Sequence, residues 1–119
     1  MNVRLAIVIP CYNEQEVLAV TFDRIDSLLN ELIVSGRISS DSFALYVDDG
    51  SKDRTWELIS ERHSEDNYVK GLKLAANSGH QNALLAGLEA VSDISDVTVT
   101  IDADLQYDET VIVDMIDAF

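Results

Sequence analysis

The sequence predicts an α/β domain in which helices cover both faces of a mostly parallel, Rossmann-like sheet. Short apolar runs rich in β-branched residues alternate four times with longer segments of helical periodicity. The first short run is almost continuously apolar, which is typical of a strand buried on both sides. No repeat, low-complexity tract or Gly/Ser-rich linker divides the 119 residues. We therefore expect residues 1–119 to belong to one domain.

The first predicted strand covers residues 4–9, and a long helix follows it over residues 14–34. Asn13 would cap this helix, and Glu16 lies three residues further on, in the position of a capping box. Apolar side chains recur at helical spacing, so one face of the helix should pack on the sheet. The predicted buried stripe consists of Val17, Leu18, Thr21, Ile25, Leu28, Leu29 and Leu32.

The second predicted strand covers residues 43–47 and leads into a turn rich in aspartate. Asp53 would cap the second helix, which ends near His63. A weaker third strand follows over residues 68–74. The side chains that the second helix would direct toward the core are Trp56, Leu58 and Ile59.

A third helix would run through Ala90, with Ser78 and Gln81 forming its capping box. Residues 97–101 form the fourth predicted strand, and Asp108 would cap a last helix. That helix remains amphipathic up to the final residue, with no C-cap glycine or proline. Its predicted apolar face consists of Val111, Ile112, Met115, Ile116 and Phe119. We therefore expect a domain truncated at its C-terminus, whose open sheet edge and helix face would favour self-association.

The charge of the chain restricts its partners. Twenty-two acidic residues against eight basic residues give a net charge of −14. Such a surface argues against nucleic-acid binding and against docking on an anionic membrane, and a phosphate-bearing ligand would need a cation as mediator. One cysteine, no apolar stretch of membrane-spanning length and no secretion signal favour the cytoplasm for this segment.

Polar residues follow three of the four predicted strands, in segments 10–14, 48–53 and 102–106. Ligands of open α/β sheets bind beyond the carboxyl ends of the strands. Each acidic turn taken alone is typical of an Asx-turn or a helix cap. Together, however, they bring six carboxylates to one edge, where the charges repel unless a cation or hydrogen-bond donors satisfy them. The combination therefore predicts a ligand site.

The oxygen atoms of Asp102, Asp104 and Gln106 are hard ligands that suit Mg²⁺ or Mn²⁺. A cation at this place would bridge and neutralise a diphosphate. At the other strand ends, Tyr12 offers a ring that could stack on a base, and Glu14 could contact a ribose hydroxyl. Cys11 has no histidine nearby in the sequence and is interpreted as a small core residue. His80, beside Gly79 in the first turn of a predicted helix, is not predicted to contact the ligand.

Segments 8–14, 47–55 and 102–106 resemble the three signature segments of the family-two inverting glycosyltransferases, in the same order and spacing. Segment 77–88 is similar to the branch that transfers a sugar to polyprenyl phosphate. Dolichyl-phosphate mannose synthase and the bactoprenol glucosyltransferases belong to that branch. The resemblance implies the N-terminal half of a GT-A fold, in a parent protein that associates with the cytoplasmic face of a membrane.

The resemblance also implies roles for individual residues. The nucleotide would be contacted by Pro10, Tyr12 and Glu14, the base by Val47 and Asp49, and the metal by Asp102, Asp104 and Gln106, with the Ala103 backbone near the donor. The family usually has proline after the metal motif, whereas residues 107–109 here are Tyr-Asp-Glu. The acceptor-binding half of the family, its later basic residues and its membrane-associated C-terminus have no counterpart in this sequence.

The implied reaction is an inverting displacement in which a lipid phosphate oxygen attacks the anomeric carbon of the sugar. Because a phosphate is already ionised at neutral pH, a strong general base is less necessary, and no residue is assigned as one. Uridine and guanosine donors are both used in this branch. UDP-glucose is preferred because segment 79–83 looks more like the bacterial members.

The sequence argues against three other classes of domain. A phospho-acceptor receiver domain needs its aspartate pair after the first strand and a late Lys-Pro pair, whereas the only proline here is Pro10. Dinucleotide-binding domains and phosphate-binding loops need glycine patterns that are absent from the sequence. A donor-binding fragment without catalytic activity, and a family-two enzyme with a saccharide acceptor, remain alternatives.

Overall fold

The computed structural model describes residues 3–104 and 109–118. Within these ranges, strands and helices alternate in the predicted order. The strands are β1 Leu5–Cys11, β2 Phe43–Asp48, β3 Val69–Lys73 and β4 Val97–Thr100. The helices are α1 Leu18–Val34, α2 Thr55–Glu65, α3 His80–Val91 and α4 Glu109–Ala118. The predicted α/β class is therefore confirmed.

The four described strands form one parallel sheet in the order β3-β2-β1-β4. In the β1–β2 pair, Cys11 lies opposite Asp48, and in the β1–β4 pair Val8 lies opposite Thr100. The strand order reverses at β1, because the chain moves outward through β2 and β3 and then returns to the other side of β1. Such a reversal opens a crevice at the carboxyl ends of the strands, where α/β proteins bind ligands.

Helices cover both faces of the sheet, as predicted. On one face, Leu5, Ile7 and Ile9 of β1 join a buried cluster with side chains of α1, α2 and α4. On the other face, Ala6 and Val8 pack with β2 and α3. Every residue of β1 and β2 is buried, which explains why both strands lack alternation of polar and apolar residues.

Helix α1 begins at Leu18, so the predicted start at residue 14 and the capping box of Asn13 and Glu16 are wrong. Asn13 instead adopts a positive φ of 53°, and its backbone and side chain bond to the loop after β2. Val17 is 38% exposed, and Phe22 is the additional member of the buried stripe. A loop contact across the sheet edge has therefore replaced the local cap.

The second predicted capping box, of Ser78 and Gln81, is also wrong, because α3 begins at His80 after Gly79 in a left-handed conformation. The N-cap of α2 is Arg54 and not the predicted Asp53. From one residue earlier, the carboxylate of Asp53 still accepts a hydrogen bond from the backbone N–H of Thr55, the first residue of α2.

The predicted cap Asp108, Phe119 and the side chains of Val111 and Met115 lie outside the described residues. Ile112 and Ile116 are buried, as predicted. In the part of the chain that the structure describes, no helix is long and apolar enough to cross a membrane.

Arg62 ties α2 to α1 on the side of the sheet that carries both helices. Its guanidinium donates to the carboxylates of Asp23, Asp26 and Asp66 at 3.0, 2.8 and 3.0 Å. Burial, followed by a shared hydrogen bond with Asp66, raises the pKa of Asp26 to about 7. This group, called the Arg62 cluster below, holds more negative than positive charge, so protonation of Asp26 relieves it.

Candidate functional site

A cleft of about 170 Å³ lies at the carboxyl ends of β1 and β2, bounded by the start of α3. The structure brings together here predicted site residues from different strand ends and residues from the loop before α3. The residues that line it are Pro10, Cys11, Tyr12, Asp49, Asn77, Gly79, His80 and Ala83. We call it the β1–β2 cleft. It occupies the edge of the sheet at which the sequence predicts a ligand.

Asp49 holds one wall of the β1–β2 cleft in place. Its side chain is only 3% exposed. One carboxylate oxygen accepts a hydrogen bond from the N–H of Ser78 at 2.7 Å, and the other accepts from the N–H of Gly79 at 3.1 Å. Each oxygen keeps a second lone pair. The predicted base-binding residue is therefore also the anchor of the loop that opens α3.

Gly50 allows the loop before α3 to pass close to the turn that follows β2. Its φ is +70°, and a Cβ atom would lie 2.4 Å from the backbone nitrogen of Asn77 and 2.6 Å from the carbonyl carbon of Ala76. Both the backbone conformation and the close approach therefore require glycine.

Segments 12–15 and 50–55, called the interlocked loops below, are joined by a set of hydrogen bonds. The backbone of one segment bonds mainly to side chains of the other. The bonds run from Asn13 N to Ser51 Oγ, Lys52 N to Asn13 Oδ1, Glu14 N to Thr55 Oγ1, Gln15 N to Asp53 Oδ2 and Arg54 N to Gln15 Oε1, at 2.8, 2.9, 2.8, 3.3 and 3.0 Å. These bonds fix the backbone on either side of Glu14.

The remaining predicted nucleotide contacts differ in their exposure. Tyr12 is 41% exposed at the mouth of the β1–β2 cleft, so its ring is accessible to a ligand. Pro10 also lines the cleft. Val47, in contrast, is fully buried in the cluster between the sheet and α3. A side-chain contact between Val47 and a base would require α3 to move.

The predicted metal-binding aspartates follow β4 in a segment of alternating exposure, residues 102–104, called the acidic turn below. Asp102 and Asp104 are exposed, and Ala103 between them is buried. The carbonyl oxygen of Ala103 accepts a hydrogen bond from the hydroxyl of Thr21 in α1, at 2.7 Å. Gln106, the third predicted ligand, lies outside the described residues.

The acids of the three strand ends lie close enough to influence one another. The pKa of Glu14 is raised, first by burial and then by the carboxylates of Asp104, Asp53 and Asp102. This repulsion is the electrostatic cost that a bound cation would relieve.

The acidic turn fits a hard divalent cation by the chemistry of its donors. Among the described residues, no three His, Cys, Asp or Glu side chains come together as a complete metal cage. Mg²⁺ does not need one, because it is commonly held by one or two carboxylates, with water and substrate phosphates completing its octahedron. Asp102 and Asp104 supply that number of carboxylates.

Cys11 is buried, and its thiol donates to the carbonyl oxygen of Ile9. Burial raises the pKa of this thiol far above its usual range, and the carboxylates of Glu14 and Asp48 add to the effect. A thiol that stays protonated is a poor nucleophile. The interpretation of Cys11 as a small core residue is confirmed.

Sequence reasoning missed Asn77, Gly79 and His80 as residues that line the β1–β2 cleft. The relevant pattern was visible, because segment 77–88 was used to identify a branch of a family. Its position beside β1 depends on the bonds between Asp49 and the loop, which local periodicity does not encode.

The family model described as Glycosyl transferase family 2 matches residues 6–119. The chain belongs to glycosyl transferase family 2. The predicted recognition of the family is thereby confirmed.

Two relatives illustrate the range of family 2 around this chain. It is 51% identical over 110 residues to the uncharacterized glycosyltransferase YkoT of Bacillus subtilis (strain 168), covering 92% of this chain and 33% of that protein. It is 36% identical over 103 residues to the undecaprenyl-phosphate 4-deoxy-4-formamido-L-arabinose transferase of Pectobacterium atrosepticum, covering 86% of this chain and 29% of that protein. The chain thus spans about a third of the length of these relatives.

Solved structures confirm the fold. The crystal structure of S. aureus TarS 1-349 in complex with UDP superposes with a TM-score of 0.61 at 20% identity, covering 97% of this chain and 32% of that one. The complex of the same protein with UDP-GlcNAc gives a TM-score of 0.60 at 18% identity, covering 94% of this chain and 30% of that one. The family-2 chain therefore has the fold of the N-terminal region of a GT-A glycosyltransferase, as predicted.

Proposed function

We propose that this chain is the nucleotide-sugar-binding part of a metal-dependent, inverting hexosyltransferase whose acceptor is a polyprenyl phosphate. The observation that carries the proposal is the placement of the β1–β2 cleft and the acidic turn at one edge of the sheet. The cleft offers an accessible aromatic ring and a buried carboxylate, as a nucleoside requires. The acidic turn offers oxygen ligands, as a diphosphate-bound cation requires.

In this proposal the nucleoside binds in the β1–β2 cleft. The ring of Tyr12 would stack on the base, and the free lone pairs of Asp49 would accept a hydrogen bond from a base N–H. Glu14 would contact a ribose hydroxyl from a backbone that the interlocked loops hold in place. UDP is the nucleotide preferred, because the similarly folded TarS binds UDP. The sugar to test first is glucose.

Asp102 and Asp104, with Gln106 as the predicted third ligand, would hold Mg²⁺ or Mn²⁺. The cation would neutralise the diphosphate and stabilise it as the leaving group. The need for such a cation follows from the charge of the chain, because a net charge of −14 repels a free nucleoside diphosphate.

The proposed acceptor rests on two similarities. Segment 77–88 resembles the polyprenyl-phosphate branch, and one relative with 36% identity is an undecaprenyl-phosphate transferase by name. Contacts to the acceptor would come from the two thirds of those relatives that this chain does not span. We expect these 119 residues alone to bind donor but to transfer little or no sugar.

Calorimetric titration of the chain with UDP and with GDP, each with and without Mn²⁺, tests the donor site. We expect Mn²⁺-dependent binding of UDP that Asp104→Ala abolishes. Asp93→Ala removes the same charge from an exposed position at the end of α3 and should leave binding unchanged. Equal binding by wild type and Asp104→Ala, or binding without metal, would contradict the proposed role of the acidic turn.

The acceptor requires a longer chain that includes the region matching the rest of the relatives. Radiolabelled UDP-glucose would be offered together with a polyprenyl phosphate or with an oligosaccharide. Label in the lipid fraction supports the proposed acceptor. Label only in the oligosaccharide would establish the alternative of a saccharide acceptor.

A further inference from the structure

Thr21 is a buried hydroxyl on an otherwise apolar stripe of α1. Its side chain is fully buried, and the other buried residues of this helix are aliphatic or aromatic. Valine has nearly the same shape and would fill the same space without a polar atom. A buried hydroxyl is costly unless it is bonded, so its presence calls for an explanation.

The hydroxyl of Thr21 lies between two carbonyl oxygens. The oxygen of Val17, one turn earlier in the helix, is 3.0 Å away, and the oxygen of Ala103 is 2.7 Å away. Bonding to the preceding turn is a common local solution for threonine. The shorter contact, however, reaches 82 residues along the chain to the acidic turn. A hydroxyl needed only for α1 itself would not require this second partner.

The carbonyl of Ala103 belongs to the peptide group that joins Ala103 to Asp104. Fixing the plane of that peptide restricts the backbone on which the Asp104 carboxylate is mounted. A small divalent cation such as Mg²⁺ demands near-ideal octahedral geometry. A turn whose peptide plane is set in advance loses less conformational freedom when the cation binds.

We propose that Thr21 is a positioning residue that orients the acidic turn for a divalent cation through its hydrogen bond to Ala103. This inference rests on the proposed function, in which Asp102 and Asp104 hold that cation. The start of α1 also receives the chain from the interlocked loops, since the carbonyl of Glu14 accepts hydrogen bonds from the N–H groups of Val17 and Leu18. One turn of helix therefore links the two halves of the site.

The test measures Mn²⁺ binding by electron paramagnetic resonance, without nucleotide, for the wild-type chain and its variants. We expect Thr21→Val to weaken Mn²⁺ binding about tenfold, because removing a group that orients a metal ligand typically costs 10- to 100-fold in affinity. Thr21→Ser keeps the hydroxyl and should restore the wild-type affinity. Thr98→Val is the matched control, since it removes a half-buried hydroxyl from β4 that contacts Ser95.

The outcomes separate this inference from the proposed function. Failure of the wild-type chain to bind Mn²⁺ both alone and with UDP would refute the metal site itself. If binding requires UDP, the same variants are compared with UDP present. Wild-type binding that Thr21→Val leaves unchanged would overturn the role of Thr21 alone. If Thr21→Val does not fold, the pair Thr21→Ser and Thr21→Ala decides, because both lack the methyl group and only one keeps the hydroxyl. A tenfold difference within that pair supports the inference, and equal affinities overturn it.

Discussion

The interlocked loops and the acidic turn meet at the same edge of the sheet but are held in different ways. Side-chain and backbone groups bind the two loops to each other along their length. The acidic turn is attached to α1 through the bond between Thr21 and Ala103, and it leaves both aspartates exposed. The proposed nucleoside-binding half of the site is thus built from contacts within the chain, whereas the acidic turn presents its carboxylates to solvent.

The same contrast appears in how the carboxylates are satisfied. Asp49 is buried and accepts two backbone N–H groups, which compensate its charge without a ligand. Asp102 and Asp104 are instead exposed to solvent. We infer that loss of a bond in the first region mainly costs stability, and that changes in the second mainly cost metal affinity.

The largest loss of stability is expected from Gly50→Ala, because Gly50 belongs to the interlocked loops. The new Cβ would lie 2.4 Å from the backbone nitrogen of Asn77, and alanine is also strained at a φ of +70°. We expect a loss of about 4 kcal/mol or more in the free energy of unfolding, since clash and strain add. Urea denaturation followed by circular dichroism measures it.

Gly36→Ala is the matched control for this substitution. Gly36 has a similar φ of +78°, but a Cβ there would meet no atom within 4 Å in the part of the chain that the structure describes. It should therefore cost only the strain of the left-handed conformation, about 1 to 2 kcal/mol. Equal losses in the two variants would show that the close approach at Gly50 does not matter.

A smaller loss is expected from Asp49→Asn, because an amide can accept from only one of the two N–H groups that the carboxylate satisfies. We expect a cost of about 2 kcal/mol together with weaker UDP binding. The neighbouring Asp48 is also buried, but one of its oxygens has no hydrogen-bond partner among the described residues. Asp48→Asn should therefore cost less. The reverse order in urea denaturation would contradict the assignment of Asp49 as the anchor of the loop.

Thr55→Val tests the interlocked loops by removing one hydroxyl group. The Thr55 hydroxyl donates to the Asp53 carboxylate and accepts from the N–H of Glu14. Its loss should cost about 1 to 2 kcal/mol and weaken UDP binding, while Mn²⁺ affinity measured without nucleotide stays unchanged. For Thr21→Val, in contrast, we expect weaker Mn²⁺ binding without nucleotide. If both variants weakened Mn²⁺ binding equally, the division of the site into two regions would be wrong.

The smallest change in stability is expected from a substitution in the Arg62 cluster, which lies away from the site and serves as a reference. With its pKa raised to about 7, folded Asp26 keeps a proton that the unfolded chain releases near its ordinary value. Stability from this group is therefore present at low pH and lost as pH rises toward 7. Asparagine does not titrate, so Asp26→Asn should remove that loss. Between pH 5 and pH 8, the free energy of unfolding of the variant should therefore rise by about 1 kcal/mol relative to the wild type, a value that allows for solvent screening.

Denaturation at both pH values checks the Asp26 prediction, with UDP titration as the companion measurement. Nucleotide affinity should not change, because the cluster contributes nothing to the β1–β2 cleft. A gain in stability that is the same at pH 5 and pH 8 would show that Asp26 does not titrate between them.

The sequence predicted those features that depend on neighbours along the chain. Strand positions followed from apolar runs, and the polar strand ends followed from composition, so the edge that carries the site was found before its geometry. The predicted capping boxes of Asn13 and Ser78 were wrong because these residues form hydrogen bonds with partners far away in the sequence. Asn13 bonds to Ser51, 38 residues away, and the N–H of Ser78 bonds to Asp49, 29 residues away.

The same limit explains why the hydrogen-bond partners of Thr21 and Asp49 were not predicted. Thr21 was assigned to the buried stripe on the basis of its spacing, which is correct, but its partner Ala103 is 82 residues away. Asp49 was expected to bind a base, and its two backbone partners could not be inferred from helical periodicity. Pattern analysis finds which face a residue occupies, whereas the hydrogen bonds at the sheet edge require the folded chain.

The central place of β1 has a consequence for the order in which the chain folds. One edge of β1 pairs with β2 early in the sequence, but the other waits for β4, and Arg4 bonds to Asp96 across 92 residues. Contacts so distant in sequence form late because the loop between them must first close. Until then, β1 keeps unpaired backbone N–H and C=O groups along one edge and exposes apolar side chains, which is the kind of surface that chaperones cover.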